Sequence, residues 1–146
     1  MGGLQISPMV SLEQLNAKDI EMLILPGGTA WEKSENNEII QLTEELFKKG
    51  KSIAAICAAT TFLANLGILN EIKHTSNDLN YLKAVAPDYK GESRYQNVWA
   101  FTDKNIITAN GIASIEFARE VFKAIGLYDE ESLEKWYQLF KNGVWS

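Results

Sequence analysis
An α/β fold built on parallel strands is what this sequence predicts, and three observations carry that prediction. Short apolar runs stop abruptly at turn residues. Amphipathic helical stretches follow them directly. The two alternate from Ile20 to Leu66 with almost no connecting chain. Strand–helix–strand–helix order of this kind implies right-handed crossovers and a sheet covered on both faces.

Each element has its own signal. Ile20 to Leu25 is a short apolar run, interrupted by Glu21 and ended by Pro26-Gly27-Gly28, and reads as a strand covered on both faces. About Asn36 to Lys49 is helical: Ile39, Leu42 and Leu46 share a face with Ile40 and Phe47. Lys48 and Lys49 suit the carboxyl end of the dipole, and Gly50 closes the helix. Ser52 to Cys57 is a second buried strand, followed without a linker by a helix from about Ala58 to Leu66 that stops at Gly67. Lys73 to Ser76 is a candidate short strand, and Asp78 to about Val85 a helix cut off by Pro87. Val98–Phe101 and Ile106–Thr108 flank Asp103-Lys104-Asn105 as an antiparallel hairpin. Ser114 is the expected cap of a helix carrying Ala118, Val121, Phe122 and Ile125, ended by Gly126. Asp129 caps a last helix whose Leu133, Trp136, Tyr137 and Phe140 read as packing residues.

Composition narrows the function classes. The chain has 146 residues, 46% hydrophobic and 23% charged, the profile of one globular domain spanning residues 1–146. With 14 basic and 19 acidic residues the net charge is -5, and the densest basic run, Lys48-Lys49 beside Lys51, suits a solvated helix end. Nucleic acid is therefore not an expected partner. No apolar run reaches the ~20 residues of a membrane span, and the N-terminus does not resemble a signal peptide, so no membrane association is expected. One cysteine excludes an intrachain disulfide and points to a reducing, cytoplasmic setting. One cysteine and one histidine cannot build a structural zinc site, and neither metal nor cofactor is expected.

Cys57 is the residue on which chemistry would turn. It stands where an apolar strand meets a helix, the position of a nucleophile elbow, whose strained turn needs small neighbours. Ala54, Ala55, Ala58 and Ala59 supply them. A helix start also offers free N–H groups to a thiolate. The alternative is a buried, inert cysteine. Gly27 and Gly28 end the neighbouring strand on the same sheet edge, where backbone N–H groups, with that of Ala58, could face an oxyanion; the alternative is an ordinary turn. His74 is the sole imidazole, seventeen positions after Cys57, and is either a base or a satisfied core residue. Trp31 either walls a pocket or covers a partner surface.

The segments Leu23-Ile24-Leu25-Pro26-Gly27-Gly28, Ile53-Ala54-Ala55-Ile56-Cys57-Ala58-Ala59 and Leu63-Ala64-Asn65-Leu66-Gly67-Ile68-Leu69 resemble the ThiJ/PfpI family, a branch of the class I glutamine-amidotransferase-like superfamily. Ile106-Ile107-Thr108-Ala109-Asn110-Gly111 and Glu116-Phe117-Ala118 match its last strand and following helix. The resemblance implies a flavodoxin-like three-layer sandwich with a mostly parallel sheet. It also implies Cys57 as nucleophile and the backbone N–H groups of Gly28 and Ala58 as oxyanion donors. Gly27, His74 and Trp31 are expected to line the site. Family members include peptidases, glyoxalases, deglycases and chaperones.

Three departures stand beside the matches. Ala58 occupies the place where active peptidase-like members carry a His. The late His-x-Glu pair of amidotransferases is missing from Asn110-Gly111-Ile112-Ala113-Ser114. The strand-helix unit that brings the family's Glu to the thiol has no counterpart, so the sheet is expected to be N-terminally truncated. The functional expectation is a cysteine-dependent amidase or peptidase-like hydrolase, or an aldehyde-processing enzyme, acting on a small molecule or peptide and working as a homodimer. Its rival is a non-catalytic stress-related or redox-sensing protein of the same fold.

Overall fold
The computed structural model describes residues 5–33 and 35–145. Four strands are β1 (Met22–Leu25), β2 (Ser52–Ile56), β3 (Ala100–Asp103) and β4 (Ile106–Ala109). Five helices are α1 (Ile40–Lys48), α2 (Ala59–Asn65), α3 (Leu79–Val85), α4 (Ser114–Ala124) and α5 (Glu130–Asn142). The sheet order is β1-β2-β4-β3. β1, β2 and β4 run parallel, and β3 pairs antiparallel with β4 at one edge.

β2 and β4 lack alternation because they are inner strands covered on both sides, whereas β1, expected to be buried, stands at the edge of the sheet and leaves Ile24 49% exposed. Ile53, Ala55 and Ile106 join Leu25, Leu46 of α1, Leu63 of α2 and Leu82 of α3 in one core. Ala54 and Ile107, one residue out of phase, pack with Val121 of α4 on the opposite face. Each large aliphatic chain so buried contributes about 1.5–3 kcal/mol. α5 lies against α4 rather than the sheet. Arg119 donates to Glu134 at 2.5 Å, and Phe122 meets Trp136 edge-on at 4.9 Å. The result is the mostly parallel three-layer sandwich expected.

Local detail departs in several places. β3 spans Ala100–Asp103 instead of Val98–Phe101, and Phe140 of α5, read as a packing residue, is 57% exposed. The first strand begins at Met22 instead of Ile20. Phe47 is 41% exposed, because the inward stripe runs through Thr43 and Leu46 instead. Thr43 can be buried there since its hydroxyl donates to the Ile39 carbonyl at 2.8 Å. Lys73–Ser76 is not a strand but a single bridge, His74 with Tyr95. Ser114 does not cap α4: the cap position is Ala113, whose amide donates to the Asn110 carbonyl at 2.9 Å and starts the turn one residue early. Asp129 does cap α5, accepting from the Ser132 amide at 2.7 Å.

Candidate functional site
Parallel order puts the carboxyl ends of β1, β2 and β4 on one sheet edge, the usual place for a ligand in an open α/β sheet. Three short segments leave that edge: Pro26-Gly27-Gly28, Cys57-Ala58 and Asn110-Gly111. Cys57 lies where they meet. Its φ is 62°, in the left-handed region that non-glycine residues rarely occupy. Such a conformation costs about 1–3 kcal/mol and must be held by its surroundings. The Cys57 amide donates to the Ala109 carbonyl at 3.0 Å, and its own carbonyl accepts from the Thr60 amide at 3.1 Å and the Thr60 hydroxyl at 2.6 Å. Thr60 spends its one proton there, so the 2.6 Å contact with Ser76 has Ser76 donating.

Two glycines make room for the side chain. A Cβ on Gly27 would stand 2.7 Å from Cys57 Cβ, and one on Gly111 would stand 2.7 Å from Sγ. The sulfur is aimed by Asn77, whose Nδ2 donates to it at 3.5 Å. Gly111 N–H donates to Asn77 Oδ1 at 2.9 Å, which fixes the orientation of the amide. Asn110 completes the clamp, donating to the Asn77 carbonyl at 2.9 Å. Cys57 remains partly exposed and opens onto a cavity of about 350 Å³ lined also by Gly27, Gly28, Thr29, Glu32, Ala58 and Gly111. Among the described residues the Gly28 and Ala58 amides donate to no protein group.

The expected site residues divide. Cys57, Gly27, Gly28 and Ala58 converge on the cavity. Trp31 does not line it. Its ring packs on Phe62 at 5.0 Å and its Nε1 donates to the Pro26 carbonyl at 2.8 Å, which props the glycine turn from beneath. His74 does not line it either. It is wholly buried, with Nδ1 donating to the Ile72 carbonyl at 2.8 Å and Nε2 accepting from the Tyr89 hydroxyl at 2.6 Å. Burial pushes this imidazole below its ordinary pKa, against the pull of the Ile72 carbonyl. Both nitrogens are spoken for, so His74 is a core residue and not a base for the thiol.

Asn77, Gly111, Glu32 and Tyr81 were not singled out in the sequence. Tyr81 donates to Glu32 Oε1 at 2.8 Å across 49 positions. Burial, the bond to Glu32, and the nearby charges of Glu32 and Cys57 hold the Tyr81 phenol far above its ordinary range, so it stays a donor. Among the described residues no cluster suits a metal ion, and no helix is long and apolar enough to cross a membrane.

The family model described as DJ-1/PfpI family matches residues 1–124. A Bacillus subtilis protein named "Uncharacterized protease YoaZ" is 45% identical over 141 residues, covering 97% of this chain and 67% of that protein. The crystal structure of a ThiJ/PfpI family protein from Bacillus anthracis superposes with TM-score 0.94 at 45% identity, covering 99% of this chain and 68% of that one. A Pyrococcus abyssi deglycase is 31% identical over 75 residues, 51% of this chain and 45% of its own length.

Proposed function
Because the chain belongs to the DJ-1/PfpI family, with its flavodoxin-like fold, we propose that it is a cysteine-dependent enzyme acting on a carbonyl carbon. The observation that carries this reading is Cys57 in a left-handed strand-to-helix turn, a nucleophile elbow, opening onto a cavity with two backbone amides beside it that have no partner among the described residues. The sulfur attacks the carbonyl, and the Gly28 and Ala58 N–H groups receive the developing oxyanion. The similarity to a protease-named and a deglycase-named protein supports amide hydrolysis or the processing of a reactive aldehyde. A thiol that must stay reduced suits a reducing compartment. The same reading takes the working form to be a homodimer, for which light scattering should return twice the monomer mass; a monomer would remove that part.

The test is turnover of peptide-coumarin amides and of glyoxal, by wild type and by Cys57→Ser. Turnover by wild type that the variant loses supports the reading; turnover that survives the substitution overturns it. A second reading is a stress-related or redox-sensing protein, favoured by a partly exposed thiol for which His74 is no base. Mild peroxide would then oxidise Cys57 to the sulfenic acid with release of water, seen by mass spectrometry, while no substrate turns over.

A further inference from the structure
We propose that Glu32 is the acid–base residue of the Cys57 site and that Tyr81 positions it. The proposal rests on the nucleophile reading above. A thiol that attacks a carbonyl must lose a proton, and a departing amine must gain one. The only histidine is locked in the core by Ile72 and Tyr89. Asn77 presents its N–H to the sulfur and has its oxygen taken by Gly111, so it cannot accept a proton. Of the described residues lining the cavity, only Glu32 carries a side chain able to serve as a base.

Glu32 stands in the turn Thr29–Lys33 that follows Gly27-Gly28. Tyr81, on the first turn of α3, reaches across and donates to Oε1. Among the described residues Oε2 has no partner and is free for the thiol or for a water beside it. The Tyr81 bond ties an exposed loop carboxylate to a helix anchored by its Asp78 cap, which limits where the carboxylate can swing.

For an amide the steps balance as follows. The Sγ–H proton passes to Glu32, the S–C bond forms, and the carbonyl pair moves onto oxygen. The C–N bond then breaks as Glu32 returns the proton to the amine, which leaves a thioester on Cys57. Water attacks that thioester, giving a proton to Glu32; the C–S bond breaks and the sulfur regains the proton.

Two measurements on the full chain test this. The first compares wild type and Glu32→Gln in the rate at which Cys57 reacts with a cationic and an anionic methanethiosulfonate. Removing the one carboxylate that lines the same cavity makes the cation-to-anion rate ratio fall several-fold on substitution; an unchanged ratio overturns the proposal whether or not a substrate is known. The second compares a peptide-coumarin amide with a p-nitrophenyl ester, whose leaving group needs no proton. Glu32→Gln should lower kcat on the amide by about 10²-fold and on the ester far less, and Tyr81→Phe should give a smaller loss of the same pattern. Equal losses on both substrates, or none, overturn it. If Cys57→Ser removes turnover but Glu32→Gln does not, the nucleophile stands and Glu32 falls; if Cys57→Ser also leaves turnover intact, both fall.

Discussion

Replacing Gly27 and Gly28 one at a time by alanine probes the Cys57 turn through two adjacent positions that should respond in opposite directions. A Cβ at Gly27 would sit 2.7 Å from Cys57 Cβ and 3.3 Å from both Sγ and the Ile56 carbonyl oxygen. Cys57 Cβ is fixed to a backbone already at φ 62°, so rotation of a side chain cannot relieve that contact. Overpacking of this kind costs about 1–3 kcal/mol. At about 2–4 °C per kcal/mol for a chain of this size, Gly27→Ala should melt roughly 2–12 °C lower. A Cβ at Gly28 meets nothing within 4 Å, and the backbone there lies outside the left-handed region. Its only general effect is to restrict the unfolded chain, which stabilises by about 0.4–1 kcal/mol. Gly28→Ala should therefore melt at or slightly above wild type. The assay is thermal unfolding by circular dichroism, paired with the rate of Cys57 alkylation. Equal destabilisation of both variants would refute the close approach on which the site's geometry depends.

Three further outcomes follow from the same contacts. Asn77→Ala removes the donor to Sγ and the acceptor of the Gly111 N–H, so urea unfolding should show a loss of about 1–3 kcal/mol and Cys57 alkylation should change with it; an unaltered Cys57 rate would mean that Asn77 does not aim the sulfur. His74 has a folded pKa below its ordinary value, so between pH 6.5 and 5.5 the unfolded chain takes up a proton that the folded chain refuses. Stability should be level above pH 6.5 and fall as pH drops below it, with a slope no steeper than about 1.4 kcal/mol per pH unit; a flat urea-denaturation series from pH 7 to 5.5 would contradict a buried neutral imidazole. Tyr89→Phe strips the donor from His74 Nε2 and should cost about 1–3 kcal/mol, seen as a lower urea midpoint with unchanged slope.

How far the sequence reaches depends on the range of the interactions. β2 and the turn after it could be read directly, because an apolar run with small residues on both sides of Cys57 is a local pattern. The Asp129 cap and the Gly67 helix stop are local too: Gly67 has φ 74°, where glycine carries no penalty. The Asn77–Cys57 and Gly111–Asn77 contacts span 20 and 34 positions, and no periodicity announces them. The signal that existed was the pair of segments His74-Thr75-Ser76-Asn77 and Asn110-Gly111, whose turn-forming residues stand at the ends of apolar stretches. His74 was ambiguous for the same reason. Only Tyr89, 15 positions on, decides that the ring belongs to the core. Ser114 shows the converse, a good local cap displaced by a turn that Asn110 and Ala113 had already closed.

The most direct measurement is the mass of a trapped intermediate. Incubation with an activated ester at low temperature, followed by acid quench and peptide mapping, should find one acyl group on Cys57 and none in Cys57→Ser. An acyl group elsewhere, or substrate consumed while Cys57 stays unmodified, would contradict the assignment of that sulfur as the attacking atom.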